Sequence, residues 1–158
     1  MTENDRKRFM REAIALSVES VANGGGPFGA VIVKEGQVVA KASNSVTQTC
    51  DPTAHAEINA IRAACAKLRD FDLSGCAIFT SCEPCPMCLG AIYWARIDEI
   101  YYGNGKDDAA KIGFDDSLIY DQLRLPVEER AIRMTRVLPS EAMQAFRVWE
   151  QKPDKVTY

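Results

Sequence analysis

Apolar residues recur at helical spacing over residues 5–22, where Met10, Ile14, Val18 and Val21 share one stripe, and this predicts a helix with that stripe toward a core. The run Asn23-Gly24-Gly25-Gly26-Pro27 ends the helix, because glycine tolerates left-handed backbone and proline cannot continue a helix. The pattern then becomes continuous. Ala30-Val31-Ile32-Val33, inside residues 28–34, predicts a strand covered on both faces, and residues 38–42 pair with it as a hairpin across Glu35-Gly36-Gln37. Asp51-Pro52 announces a second helix, with aspartate as N-cap and proline at the first helical position. It runs to residue 68 and turns Ile58, Ile61, Cys65 and Leu68 toward the sheet. Residues 76–80 read as a third strand, 86–95 as a short helix, and Ile100-Tyr101-Tyr102 as part of a fourth strand. Loop and helix mix over 103–130. A last strand at 132–138 and a last helix at 140–151 complete the reading. Helices alternating with short buried strands predict an α/β sandwich, helices on both faces of a mixed sheet. With no repeat and no linker, one domain is expected over 1–158.

Composition narrows the class. A chain of 158 residues, 47% hydrophobic and 26% charged, can bury a core without disulfide staples. No apolar run is long enough for a membrane span, and Met1-Thr2-Glu3-Asn4-Asp5 is not a secretory start, so the expected compartment is the cytoplasm. A net charge of −3 and a pI near 5.3 argue against a large nucleic-acid partner. Six cysteines, three of them Cys82, Cys85 and Cys88, point in a reducing compartment to metal or redox chemistry rather than disulfides. Cys65 and Cys76 sit among apolar neighbours and read as core.

The chemistry is carried by His55-Ala56-Glu57 and Pro84-Cys85-Pro86-Met87-Cys88. Two sulfurs three residues apart on a helical first turn can meet one ion, and a helix N-terminus lowers the cost of two thiolates. With His55 they make three protein ligands, which suits tetrahedral zinc with an open fourth position. Zinc lowers the pKa of bound water from about 15.7 to about 7, and Glu57 is placed to move the proton. Glu57 can share the site only if the site lies over the helix end, since residues two apart diverge on a helix. A closed structural site of His55, Cys82, Cys85 and Cys88 is the alternative; it leaves Glu57 without a role and ignores the deaminase pattern H-x-E…P-C-x-x-C, which selects Cys85 and Cys88.

At these residues the chain resembles the cytidine deaminase-like superfamily. The stretches Gly26-Pro27-Phe28-Gly29-Ala30-Val31-Ile32-Val33, Asp51-Pro52-Thr53-Ala54-His55-Ala56-Glu57, Thr80 through Arg96 and Gly113-Phe114-Asp115-Asp116-Ser117, with the terminal Tyr158, are similar to bacterial guanine deaminases. The resemblance implies a three-layer α/β/α sandwich with a mixed five-stranded sheet, a homodimer, one zinc per subunit and conversion of guanine to xanthine. It implies His55, Cys85 and Cys88 as ligands and Glu57 as proton shuttle. Asn44, Phe28, Trp94, Asp116, Glu141 and Tyr158 are implied as substrate contacts. Residues alone also allow Asn44 to be a turn residue, Phe28 and Trp94 to be core, and Asp116 and Glu141 to be solvated charges. Residues 140–158 are implied as a helix and tail that closes over a pocket, in some relatives the neighbouring subunit's. A tRNA adenosine deaminase shares the catalytic pattern but needs a basic surface for RNA. Cytosine or nucleoside deamination differs only in pocket contacts. From another class, a non-catalytic zinc-stabilised module would hold its ion with all three clustered sulfurs.

Overall fold

The computed structural model describes residues 1–157. Its chain divides into two compact units, Met1–Asp116 and Ser117–Tyr158.

The first unit is built on four strands, β1 (Gly29–Lys34), β2 (Gln37–Ser43), β3 (Cys76–Cys82) and β4 (Glu99–Asn104), in the order β2-β1-β3-β4. β1 is antiparallel to β2 and β3, and β3 is parallel to β4, so the sheet is mixed. The β1–β2 hairpin turns at Glu35 (φ 49°) and Gly36 (φ 74°), two successive left-handed residues whose twist suits a tight hairpin. β1 and β3 are buried nearly end to end, as the unbroken apolar run predicts for β1.

Alternation along β1 separates two cores. Val31 and Val33, with Ala77 and Phe79 of β3, meet Phe9 and Ala13 of helix α1 (Glu3–Ala22). Ala30 and Ile32, with Ile78, meet Ala56, Ala60 and Ala64 of α3 (Ala56–Leu68) and Ile92 of α4 (Pro86–Trp94). Helices therefore cover both faces of the sheet. A one-turn helix, α2 (Val46–Thr49), follows β2, and α5 (Lys106–Lys111) follows β4.

Several expectations are corrected. The buried face of α1 is Phe9, Ala13, Ser17 and Ser20, whereas Ile14, Val18 and Val21 are exposed, a rotation of one residue or about 100°. Close approach decides it. A Cβ on Gly29 would collide with the Ala13 carbonyl and meet the Ser17 nitrogen at 2.8 Å, so α1 lies against the sheet at Ala13 and Ser17, where only small residues fit. On α3 the core face is likewise alanine, with Ile61 and Cys65 at its edge and Leu68 exposed. Asp51 does not cap α3. Its Oδ1 accepts from the Thr53 N–H (2.8 Å) and hydroxyl (2.7 Å), a local turn that competes with helix, and α3 begins at Ala56 with His55 as N-cap. The sheet has four strands rather than five. Residues 132–138 form no strand, because alternation makes a ladder only where another strand's edge is there to pair.

The second unit contains α6 (Ser117–Arg124), a 3-10 turn at Val127–Glu129 and α7 (Pro139–Gln151). No described residue of this unit is buried. No helix among the described residues is long and apolar enough to cross a membrane.

Candidate active site

Two helix N-termini in the first unit bring the chemistry together. His55 is the N-cap of α3 in extended backbone (φ −68°, ψ 156°), and its side chain makes no capping bond, which leaves the ring free of the helix. Cys85 is the N-cap of α4, Pro86 occupies the first turn, and Cys88 lies within that turn. His55 Nδ1 is 3.6 Å from Cys85 Sγ and 3.5 Å from Cys88 Sγ. The three donor atoms all lie within 4.8 Å of one another. Helix N-termini present unpaired N–H groups and favour negative charge, so both ends support thiolate.

The protons report the same pull. Cys85 is drawn down to about 4, first by a hydrogen bond from the Cys88 thiol and then by His55, against the cost of burial. Cys88 is pushed up, first because it holds that proton for Cys85 and then by burial. His55 is raised chiefly by its bond to Cys85. Two sulfurs so close share a proton unless a cation replaces it.

Glu57, the second helical residue of α3, is buried beside these groups. Burial raises its carboxyl, and the Cys85 charge adds to the rise. The Glu57 carboxyl in turn adds to the rise of the Cys88 thiol. His55 and Glu57 thus share a site over the end of α3, as the sequence requires of them.

Cys82 is apart from the cluster. It is buried at the end of β3, its Sγ donates to the Gly105 carbonyl at 3.8 Å, and burial holds its thiol at about 11. The closed four-ligand arrangement finds no support in this geometry.

Asn44 is buried just after β2. Its Oδ1 accepts from the Gly26 N–H (3.4 Å) and the Val46 N–H (3.2 Å), which fixes the orientation of the amide. The turn reading of Asn44 holds, since its oxygen serves the turn. Phe28 is joined to it through the Asn44 N–H to the Phe28 carbonyl at 3.0 Å. Phe28 packs against the α3 core and meets Phe114 edge-on, ring centroids 4.9 Å apart at 89°. Phe114 has no role in the sequence reading, although it stands in one of the stretches that carry the resemblance. Asp116 is raised by burial and then by Cys85, so it stands in the field of the cluster, with Lys106 opposing.

Trp94 is not brought to this cluster. It is 67% exposed at the opposite end of α4, about 13 Å along the axis from Cys85 at 1.5 Å per residue. Glu141 is exposed in the first turn of α7, in the second unit. Tyr158 lies outside the described residues.

A family model for the cytidine and deoxycytidylate deaminase zinc-binding region matches residues 3–104. The chain belongs to that family. It is 48% identical to the guanine deaminase of Bacillus subtilis over 155 residues, covering 98% of this chain and 99% of that protein. The X-ray structure of the Bacillus subtilis guanine deaminase matches with a TM-score of 0.94, over 100% of this chain and 99% of that one. The guanine deaminase structure from Nitrosomonas europaea matches at 0.66 and 36% identity, over 68% of this chain and 63% of that one. A tRNA-specific adenosine deaminase from Aquifex aeolicus is 40% identical over 97 residues, 61% of this chain and 64% of that protein.

A zinc-binding deaminase needs a donor set that fits its ion, and this one passes a metric test. Tetrahedral zinc with Zn–S of about 2.3 Å and Zn–N of about 2.0–2.1 Å puts sulfur and nitrogen about 3.6 Å apart. The deaminase's own separations are 3.6 and 3.5 Å. One imidazole and two thiolates also leave a fourth position for water, which a structural site would fill with protein.

Proposed function

We propose that the chain deaminates guanine hydrolytically, converting guanine and water to xanthine and ammonia. The observation that carries this reading is the extent of the likeness. Similarity to the Bacillus subtilis guanine deaminase spans 98% of the chain, whereas similarity to the tRNA-specific adenosine deaminase spans 61%. Substrate choice among enzymes of common chemistry lies in pocket contacts, so likeness over the whole length weighs more than likeness over the catalytic part.

His55, Cys85 and Cys88 hold zinc in this reading, and zinc, when bound, supplies a water activated at neutral pH. Glu57 takes the proton of the attacking water, delivers it to ring N3, and passes a proton to the amine leaving C2. The NH2 of Asn44, whose oxygen is engaged in the turn, donates to the O6 acceptor of guanine. Phe28 supplies a flat face for the ring. Asp116 accepts from the N–H groups of the base, and Glu141 is assigned the same task.

The reading extends to assembly. Leu118, Ile132, Val137, Phe146 and Trp149 are all exposed, and no described residue of the second unit is buried. So short a segment cannot sustain that much apolar surface in water. We assign the cover to a second copy, in a homodimer whose residues 140–158, ending in Tyr158, close over a substrate pocket. Trp94 then serves the base only across a subunit boundary. Thiolate ligands and six unpaired cysteines suit a reducing compartment, the cytoplasm.

Ammonia release from zinc-loaded protein with guanine, guanosine, adenine, cytosine and tRNA tests the substrate. Guanine is expected to react fastest. Release from guanosine but not guanine overturns the choice of base, release from tRNA moves the chain to the adenosine deaminases, and one tight zinc without turnover leaves a binding module. Trimming residues 153–158 is expected to raise KM for guanine; an unchanged KM removes the tail from the pocket.

A further inference from the structure

Asn44 lies between the end of β2 and α2, and α2 cannot hold that loop by itself. It is a single turn, too short to be stable alone, and its N-cap Ser45 makes no side-chain capping bond. Bonds to residues 20–26 hold one side of the loop, and α3 holds the side toward His55. The part-buried Asn59 Nδ2 lies 3.0 Å from the Ser43 carbonyl, 3.0 Å from the Ser45 hydroxyl and 3.3 Å from the Ala54 carbonyl. Ser43 and Ser45 flank Asn44, and Ala54 immediately precedes His55. The backbone closes the same ring: Ser45 N–H donates to the Ala54 carbonyl at 3.0 Å, and Asn59 N–H to the His55 carbonyl at 3.0 Å.

We infer that Asn59 is a positioning residue for base recognition, tying the Asn44 loop to the His55 loop so that the base-reading amide is held in register with the ligand that fixes the reacting carbon. This rests on the reading of Asn44 as a contact to the base. Only a side chain with two N–H hydrogens on one atom can serve acceptors on both loops from this point of α3. An alanine leaves the Ser45 N–H to Ala54 carbonyl bond as the remaining direct tie between the two loops. A carboxylate turns the donor into an acceptor facing three others.

The test is a double-mutant cycle on the zinc-loaded, full-length enzyme, with kcat and KM measured and the dissociation constant of the base read by calorimetry. N59A is expected to keep one zinc per chain, to hold kcat within about threefold, and to raise KM and the dissociation constant about tenfold, the scale of one or two lost hydrogen bonds. In an N44A background the same change is expected to add nothing, because Asn59 acts through Asn44. An unchanged KM in N59A, or effects that multiply with those of N44A, overturns the inference. If N59A does not fold, S45A decides by the same criterion. It removes one acceptor, is expected to raise KM about threefold, and must likewise be silent in N44A. Wild-type protein that ignores guanine but deaminates another base retires the guanine reading, and the cycle is then read on that base.

Discussion

Two phenylalanines describe the two halves of this molecule. Phe9 on α1 is 1% exposed, with Phe79 at 5.4 Å between ring centroids and the valines of β1 around it. Phe146 on α7 is 66% exposed, in a unit where no described side chain is buried. The first unit is self-sufficient and holds the ligand cluster on helix ends anchored to its own core. A preorganised metal site needs such anchoring, because its donors must keep their spacing without the ion's help. The second unit carries similar apolar character in its sequence, yet none of its described residues is buried. The difference teaches that hydrophobic content does not locate a core; it states only that some surface, within the chain or in a partner, must be covered.

The comparison is sharpened most by Glu57→Gln. Removing the carboxyl proposed as proton carrier is expected to lower kcat by about 10²–10⁴. The glutamine keeps the shape of a residue in the first turn of α3, so zinc content, measured by atomic absorption, and oligomeric state should stay as in the wild type. A variant with normal turnover and normal metal would move the proton transfer to another group. Next in size is the phenylalanine pair. Phe9→Ala is expected to cost about 3–5 kcal/mol in denaturant unfolding, because it empties a packed core position. Phe146→Asp should cost little in the unfolding of the isolated subunit. It should instead raise the dissociation constant of the proposed homodimer about tenfold or more, seen in sedimentation velocity as monomer appearing at higher protein concentration. Equal stability losses at both positions, with no change in association, would mean that Phe146 belongs to an internal core after all.

The same comparison explains what was legible in the sequence. β1 was readable because a strand buried on both faces shows as an unbroken run, and Ala30-Val31-Ile32-Val33 has no helical rival of that length. The metal cluster was readable because ligand chemistry restricts residue type and spacing jointly, and His55, Cys85 and Cys88 do converge. Residue periodicity misled on α1, where the apolar stripe Ile14, Val18 and Val21 faces solvent and the small residues Ala13 and Ser17 face the sheet. Close helix–sheet approach selects for small side chains, and a hydrophobicity pattern is blind to that choice. It misled again at residues 132–138, where an apolar alternation belongs to the unit without a core. Asn59 left no sequence signal, since its value comes from where two loops sit in space.

The smallest expected effect separates metal chemistry from packing inside the first unit. Cys82 and Cys85 are three residues apart and chemically identical, yet burial holds Cys82 at about 11 while the Cys88 hydrogen bond and His55 draw Cys85 to about 4. Cys82 donates its proton to the Gly105 carbonyl at 3.8 Å, and its sulfur is not among the three donor atoms that converge. Cys82→Ala should leave one zinc per chain and nearly full turnover, with a stability loss on the order of 1 kcal/mol for a small cavity at the end of β3. Cys85→Ala should instead abolish both metal and activity. Loss of zinc from the Cys82 variant would return the site to a closed, four-ligand structural ion, and the water position on which hydrolysis depends would go with it.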